Sequence, residues 1–442
     1  MKDKNPSQLE AAMSATLNRR QKNSTLRALT TNDPSSIDFS SNDFLSLRTS
    51  PILRTTFLNE LHAHPDFTLG SGGSRLLDGN SSYAERLETD IATFHRAPAA
   101  LLCNSGYDAN VGIFASLPQP GDVVVYDEYI HASVHDGMRA SRAGVTLPFA
   151  HNSVASFTAV LKRIVASDSL VRDGERTVFI ALEAVYSMDG DICPLAAIVN
   201  TTHTLLPHHN IAIIVDEAHA TGVLGPRGAG LVCALRLEHA VAIRLHTFGK
   251  ALSATGAAVL CSPLTKRYLL NYARPLIYTT FMSFPALAAV RAAYELLDTG
   301  HARDLARKLE ANMSLLYKLL LELQAALPAE AREARLLVIP DTASPTASPG
   351  PQAQSQSQQP SLSPIFSVLT SEPRALAAWC QRGGFMVRPI VPPTVPAGSE
   401  RVRVCLHAGN SEEEIRALVG RMREWCERQT EGLAKGAMVA KL

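Results

Sequence analysis

The stretch Thr247-Phe248-Gly249-Lys250, with Val215-Asp216-Glu217-Ala218-His219 about thirty residues before it, decides the fold. Asp216 follows the apolar residues 211–215, which are typical of a buried strand. A carboxylate at the C-terminal end of a parallel strand points into the crevice where α/β sheets bind ligands. Two interpretations of Asp216 and Lys250 stay open from these residues alone. One is a buried ion pair, and the other is an aldehyde cofactor bound to Lys250 as a Schiff base, with Asp216 keeping its pyridine nitrogen protonated.

Strand and helix patterns alternate from residue 97 to residue 262, which predicts an α/β fold with a large, mostly parallel sheet. Strands are expected at 99–103, 123–127, 178–183 and 211–216. A long helix is expected over 284–328, followed by a small C-terminal α+β domain with strands at 365–369, 385–388 and 401–406 and helices at 373–382 and 411–427. We therefore predict an N-terminal helix and arm (1–48), a large domain (49–290) and a linking helix with the small domain (291–442).

Two segments outside the sheet have distinctive compositions. Residues 341–363 are rich in Ser, Pro and Gln, and because they cannot form a core they are predicted to be a disordered insert. Residues 7–30 have the spacing of an amphipathic helix with basic residues that include Arg27. Such a basic helix either binds an anionic substrate tail or is a solvated face.

The composition of the chain excludes several classes of protein. The 442 residues have 42 Lys and Arg against 41 Asp and Glu, and this balance gives no electrostatic basis for nucleic acid or an anionic membrane as main partner. Seven scattered cysteines without a CxxC pair argue for a reducing compartment and against structural zinc, so no metal is expected. No apolar run reaches the length of a membrane span, and no secretory signal is recognisable at Met1.

The last three residues, Ala440-Lys441-Leu442, are a relaxed form of the Ser-Lys-Leu peroxisomal address. If the chain is eukaryotic, we expect peroxisomal localisation through the import receptor, with the segment from Thr430 exposed. Otherwise we expect a cytoplasmic protein. A chance match is the alternative explanation.

Several polar residues follow the predicted strands. Ser105, Gly106 and Tyr107 lie between a strand and a helix start, where free N–H groups favour a phosphate, although Ser105 could equally be an ordinary N-cap. His131 follows the second strand and could stack on an aromatic cofactor or be structural. Arg401 and Arg403 alternate on one strand face and form either a carboxylate-binding fork or a charged surface.

Taken together, the motifs resemble the α-oxoamine synthases, a family of fold-type I pyridoxal-phosphate enzymes. The resemblance covers about residues 7–428 apart from 341–363, and its individual blocks are specific only in combination. They are Ser41-Asn42-Asp43-Phe44-Leu45, Gly70-Ser71-Gly72-Gly73-Ser74-Arg75, Asn104-Ser105-Gly106-Tyr107, His131-Ala132-Ser133, Glu183 with Ser187-Met188-Asp189-Gly190-Asp191, and the two stretches quoted first.

This resemblance implies the roles of the site residues. Lys250 would be the Schiff-base lysine, Asp216 the partner of the pyridine nitrogen and His131 the residue stacked on the ring. The further cofactor-binding residues would be Ser105, Gly106, Tyr107, Glu183, Ser187, His219 and Thr247, with Thr280 from the other subunit of a homodimer with shared sites. Arg403 would bind the amino-acid carboxylate, and Arg27, Asn42, His131 and Thr394 would face the substrates.

Three stretches favour the branch of the family that condenses L-alanine with a pimeloyl thioester such as pimeloyl-CoA in biotin synthesis. They are Ala273-Arg274-Pro275-Leu276-Ile277-Tyr278-Thr279-Thr280, Gly256-Ala257-Ala258-Val259-Leu260-Cys261-Ser262 and Pro392-Pro393-Thr394-Val395-Pro396-Ala397-Gly398. Pro389-Ile390-Val391 is an addition near the expected acyl site and leaves the length of the acyl chain open. The 341–363 insert is a second departure, because it is longer than in bacterial members of the family. The alternatives are another acyl thioester or amino acid within the family, or a cofactor-free scaffold subunit.

Overall fold

The computed structural model describes residues 7–23, 25–31, 33–340 and 362–439, and it groups the chain into two compact units, Met1–Ile37 and Asp38–Leu442. Most of the predicted insert and the predicted C-terminal address lie outside the described residues, so both stay predictions. The end of the insert is described, and Ser363 there is buried at 3% exposure. The predicted division at residues 290 and 291 also stays a prediction.

The N-terminal unit contains helix α1 (Gln8–Lys22), which starts with a capping box between Ser7 and Glu10. The prediction of a helix to residue 30 was wrong. The N–H of Asn23 donates to the carbonyl of Arg19, and the N–H of Thr25 donates to that of Arg20, which closes the last turn. No residue of α1 is buried, and Arg27 beyond it is exposed.

Twelve named strands occur in the described part of the chain, and several of them match the predicted bounds. They are β1 (Ile37–Asp38), β2 (Ala99–Cys103), β3 (Val123–Asp127), β4 (Val145–Phe149), β5 (Val178–Glu183), β6 (Ile211–Asp216), β7 (Ile243–Thr247), β8 (Ala257–Cys261), β9 (Ile365–Leu369), β10 (Phe385–Met386), β11 (Arg388–Ile390) and β12 (Arg401–Cys405).

The helices after α1 cover the faces of the sheets and connect the strands. They are α2 (Pro51–His62), α3 (Ser82–Phe94), α4 (Gly106–Ser116), α5 (Ala132–Arg139), α6 (Val154–Ser167), α7 (Ser169–Arg172), α8 (Leu195–Leu205), α9 (Leu231–Ala234), α10 (Pro263–Tyr272), α11 (Arg274–Ile277), α12 (Phe284–Asp298), α13 (His301–Ala326), α14 (Ala329–Glu333), α15 (Pro373–Arg382) and α16 (Glu412–Val439).

The large sheet has the strand order β2-β8-β7-β6-β5-β3-β4. Strands β7, β6, β5, β3 and β4 are parallel, whereas β8 runs antiparallel to both of its neighbours. Strand β5 is buried at every residue, as expected for a central parallel strand covered on both faces. The C-terminal ends of β3, β5, β6 and β7 therefore meet at one edge of the sheet, which fixes the position of the site.

The small sheet has the antiparallel order β11-β12-β9, as the α+β prediction requires. The predicted single helix over 284–328 is two helices, because Gly300 takes a left-handed φ of 84° between α12 and α13. Helix α16 extends beyond the predicted end at 427, so the segment from Thr430 to Val439 is helical. In the described part of the chain, no helix has the length and apolar character needed to cross a membrane.

Candidate active site

Lys250 and His219 form the centre of the site. Lys250 follows β7, His219 follows β6, and the lysine Nζ lies 2.9 Å from His219 Nε2. Burial keeps the pKa of His219 well below its usual value, and the charge of Lys250 lowers it further, so the neutral imidazole accepts from the amine. Burial also lowers the pKa of Lys250, and the carboxylates of Asp216 and Glu183 oppose that shift. Burial therefore makes it easier for Lys250 to lose its proton, and the free amine is the nucleophilic form.

Asp216 is fixed by two donors at the C-terminal end of β6. Its Oδ1 accepts from the Ala218 N–H at 2.9 Å, and its Oδ2 accepts from Asn110 Nδ2 at 2.8 Å. Asn110 Nδ2 also donates to Ser133 Oγ at 3.0 Å, which in turn lies 2.7 Å from His131 Nδ1. A chain of hydrogen bonds therefore joins Asp216 to His131.

Asn110 and Ser133 were not assigned from the sequence. Asn110 lies one turn beyond Gly106 on α4 and is only 2% exposed. A buried amide on a helix that starts at a predicted anion site is the signal that could have found it, since buried polar groups require partners.

Glu183 lies directly beside Asp216, because the two residues are register partners at the ends of β5 and β6. Burial raises the pKa of Glu183 well above its usual value, and the negative charge of Asp216 raises it further. The side chain of His131 is exposed, but its partial loss of hydration beside the site lowers its pKa. Glu183 and His131 therefore both lie in surroundings that disfavour their charged forms, close to the carboxylate of Asp216.

The turn before α4 has the features of a phosphate cradle. Ser105 is the N-cap, with its Oγ accepting from the Asp108 N–H at 3.0 Å, so the ordinary capping interpretation holds for this side chain. A Cβ added to Gly106 would lie 2.3 Å from Thr247 Cγ2, so only glycine fits there. Thr247 Oγ1 is buried and has no partner among the described residues. Tyr107 is 46% exposed, and its hydroxyl donates to Asp136.

Arg403 lies where β12 reaches the same crevice. Its Nη2 donates to Asn42 Oδ1 at 3.0 Å, and its Nε donates to the Ser187 carbonyl at 2.6 Å. Arg403, Asn42 and Ser187 are therefore brought together. The alternative of a charged surface was wrong, because Arg401 and Arg403 are both buried. Arg401 pairs with Asp189, and carboxylate binding by Arg403 stays a prediction.

Three predicted site residues are not tied to this cluster by the described contacts. The Thr280 carbonyl accepts from Asn104 Nδ2 at 2.6 Å, and the residue is exposed. Thr394 is exposed in a turn in which its N–H donates to the Val391 carbonyl at 3.1 Å. Arg27 belongs to the separate N-terminal unit. Their roles stay predictions.

The residues present fit an aldehyde cofactor with a pyridine ring and a phosphate. Lys250 supplies the amine, and Asp216 supplies an anchored carboxylate. His219 Nδ1 and Thr247 Oγ1 are buried polar atoms without a partner in the described part of the chain, so they are available to polar atoms of a ligand. Within residues 7–439, as far as they are described, no group of His, Cys, Asp and Glu side chains has the arrangement of a metal site.

Residues 34–422 match the family described as aminotransferase class I and II. The chain belongs to this family. It is 49% identical over 431 residues to the 8-amino-7-oxononanoate synthase of Emericella nidulans, with 97% of this chain and 99% of that protein covered. It is 42% identical over 390 residues to the aminoacyl transferase sphA of Aspergillus fumigatus, with 87% of this chain and 79% of that protein covered.

Two solved structures show the same fold. The serine palmitoyltransferase of Sphingomonas wittichii has a TM-score of 0.75 at 24% identity, with 96% of this chain and 99% of that chain covered. The 8-amino-7-oxononanoate synthase of Francisella tularensis has a TM-score of 0.65 at 24% identity, with 90% of this chain and 100% of that chain covered. The predicted fold class is confirmed, and the chain is a pyridoxal-phosphate-dependent acyltransferase of the α-oxoamine synthase type.

Proposed function

We propose that this protein condenses L-alanine with a pimeloyl thioester such as pimeloyl-CoA, and so forms 8-amino-7-oxononanoate for biotin synthesis. The observation that carries the proposal is the 49% identity to the Emericella nidulans 8-amino-7-oxononanoate synthase, because it extends over nearly the full length of both chains.

The arrangement of polar groups suits this reaction. When bound, pyridoxal phosphate stabilises negative charge at the Cα of the amino acid. Asp216, held by Asn110 and Ala218, would keep the ring nitrogen of that cofactor protonated. Burial lowers the pKa of Lys250, which favours a role for its amine as the base that accepts the Cα proton. Arg403, oriented by Asn42 and Ser187, would bind the amino-acid carboxylate.

The atoms of the reaction balance without a redox partner. The Cα–H bond of alanine breaks, with its proton going to Lys250, and a new bond forms between Cα and the thioester carbonyl carbon. The C–S bond breaks, and coenzyme A leaves as a thiolate that takes up a proton from solvent. The resulting β-keto acid loses carbon dioxide, and a proton returns to Cα.

A second candidate is condensation with another acyl thioester. It is favoured by the 42% identity to the aminoacyl transferase sphA and by Pro389-Ile390-Val391, which adds residues near the predicted acyl site. Of these, Pro389 and Ile390 lie on β11 beside β12, the strand that carries Arg403.

A coenzyme A release assay separates the two candidates. The purified protein with pyridoxal phosphate is given alanine, glycine or serine together with acetyl-, succinyl-, pimeloyl- or palmitoyl-CoA. We expect the highest kcat/KM for alanine with pimeloyl-CoA. Preference for a different thioester or amino acid by tenfold or more, as about 1.4 kcal/mol of discrimination would give, replaces the first candidate with the second.

We also propose that the active protein is a homodimer. The glycine-dense segment 70–75 is joined to residue Phe281, whose N–H donates to the Gly73 carbonyl at 2.9 Å. Around this junction Leu69 and Leu77 are each 78% exposed and Tyr278 is 72% exposed. Large exposed apolar side chains near one junction of the chain favour an interaction surface there. Leu77→Glu should convert the protein to monomers by analytical ultracentrifugation, whereas Leu264→Glu, at a residue of similar exposure (72%), should not.

A further inference from the structure

A five-residue loop, residues 187–191, is contacted at four successive positions by β12 of the small sheet and by Ser363, which lies two residues before β9. Arg403 donates to the Ser187 carbonyl, and Arg401 Nη1 donates to the Met188 carbonyl at 3.3 Å. Arg401 also pairs with the Asp189 carboxylate. Ser363 Oγ donates to the Gly190 carbonyl at 2.5 Å. This loop therefore determines the positions of the Arg401 and Arg403 side chains.

The fifth residue of the loop, Asp191, is held from the opposite side. Its Oδ2 accepts from His151 Nε2 at 2.8 Å and from Asn152 Nδ2 at 2.7 Å. Both donors follow β4, an edge strand of the large sheet. The loop is thus fixed between the large sheet and the small sheet.

His151 is itself anchored in the large sheet. Its Nδ1 lies 2.8 Å from Asp127 Oδ1, at the fully buried end of β3. The ring of Tyr129 stacks on the imidazole at 4.4 Å with an interplanar angle of 24°, and the ring of Tyr186 meets it edge-on at 4.4 Å. These contacts leave the imidazole one orientation, in which it bridges Asp127 and Asp191.

The charged groups around His151 favour its protonated form. Burial alone lowers the pKa of His151, but hydrogen bonds to Asp127 and Asp191 outweigh burial and raise the pKa to about 10. The backbone N–H of His151 donates to Glu128 Oε1 at 2.9 Å, which fixes the main chain at this position. Both ring nitrogens are therefore donors at neutral pH. The two charge-assisted hydrogen bonds are stronger than neutral ones.

We propose that His151 is a positioning residue for the amino-acid substrate: as an imidazolium bridging Asp127 and Asp191, it holds the 187–191 loop where that loop orients Arg403. It acts through the loop and touches no substrate. The proposal rests on the proposed function only in assigning the substrate carboxylate to Arg403.

The main variant is His151→Gln, which keeps side-chain bulk but loses the charge and one of the two donors. Asp191→Asn weakens the same hydrogen bond between His151 and Asp191 by removing the charge of its acceptor in the loop. Arg176→Gln is the matched control, because Arg176 also pairs with a carboxylate, that of Asp168 at 2.5 Å, but lies at the opposite end of β5. For each holoenzyme we would measure the KM for both substrates and the equilibrium affinity for the amino acid alone. Hydrogen exchange of the loop amides would be followed in the same preparations.

We expect His151→Gln and Asp191→Asn to raise the KM and the dissociation constant for the amino acid about tenfold, the effect of misaligning one charge-assisted contact. The KM for the thioester should change less than twofold. The Gly190 amide, which donates to the Tyr186 carbonyl at 2.8 Å, should exchange faster in both variants and not in the control.

Equal increases in both KM values, or normal amino-acid affinity with a loosened loop, would overturn the proposal. If His151→Gln does not fold, Asp191→Asn decides alone, since that carboxylate is partly exposed and its replacement keeps an acceptor. The affinity is measured with whichever amino acid the wild type uses. An error in the proposed function therefore shows in the wild type, whereas an error in this inference shows only in the variants.

Discussion

At the scale of single residues, Lys250 carries the chemistry. Its amine is held by His219, and its lowered pKa makes it nucleophilic. Lys250→Ala should reduce kcat by more than about 1,000-fold, because both covalent binding and proton transfer are lost. Borohydride reduction of the wild-type holoenzyme, followed by peptide mass spectrometry, should place the pyridoxyl label on Lys250. Label on another lysine, or undiminished turnover in the variant, would refute the assignment.

Substitutions at Gly106 and Thr247 together test whether the turn before α4 binds the cofactor phosphate. Gly106→Ala would place a methyl group 2.3 Å from Thr247 Cγ2, so we expect cofactor affinity to fall tenfold or more, in line with an overpacking cost of about 1–3 kcal/mol. Adding Thr247→Ser removes Cγ2 and keeps the hydroxyl, and it should restore most of the affinity. Equilibrium cofactor titration measures both. A double variant no better than Gly106→Ala would show that the contact is not the cause.

The sequence predicted residues whose chemistry is distinctive, and it missed those whose role depends on a neighbour. Lys250, Asp216 and His219 follow strands, and the structure brings them together. Asn110 could not be assigned, because its role depends on an amide reaching from α4 to Asp216 across the crevice. The pairing of Arg401 with Asp189 was likewise hidden, since the two residues are 212 positions apart.

At the scale of elements, the contact between the 187–191 loop and β9 is tight. Gly190 has a φ of 79°, and a Cβ there would lie 1.9 Å from the Ile365 carbonyl oxygen. Gly190→Ala should cost about 1–2 kcal/mol for the backbone conformation and several more for displacing β9. Gly384→Ala is the control, because Gly384 has a similar φ of 85° with no atom within 4 Å.

Thermal unfolding of both glycine variants measures the difference. We expect the Tm of Gly190→Ala to fall well below that of Gly384→Ala, because only the first adds a steric clash to the backbone strain. Equal Tm values would mean that β9 can move away from the loop without loss of packing.

Elements with a uniform pattern were predicted well, and those that depend on their neighbours were not. Strand β5 is apolar up to Glu183, and its predicted bounds are confirmed. Strand β4 was missed because it is an exposed edge strand that contains Pro148. The antiparallel direction of β8 was not predicted either, because the residues of a strand do not encode the direction of its partners. Such direction follows from chain topology.

At the scale of the whole molecule, Glu217 couples pH to stability. It is fully buried beside Asp216, and it accepts from the N–H groups of Leu231 and Val232 at 2.8 Å each. Burial raises its pKa to about 7 from a usual value of 4.5, because the two N–H donors only partly offset the desolvation. Between these values the folded state binds a proton that the unfolded state has released. Its contribution to stability is therefore full below pH 4.5 and is lost as the pH rises through 7.

Comparison of the wild type with Glu217→Gln across this pH range isolates the effect, because the other titrating groups are common to both proteins. Glutamine keeps the shape of a neutral carboxyl but cannot ionise. The Tm of the wild type relative to Glu217→Gln should therefore decline between pH 4.5 and 7, by the equivalent of at most roughly 3 kcal/mol. The exposed Glu175→Gln should show no such trend relative to the wild type. A Tm difference for Glu217→Gln that is constant with pH would mean that this carboxyl is already ionised in the fold at pH 4.5, held so by the helix α9 amides.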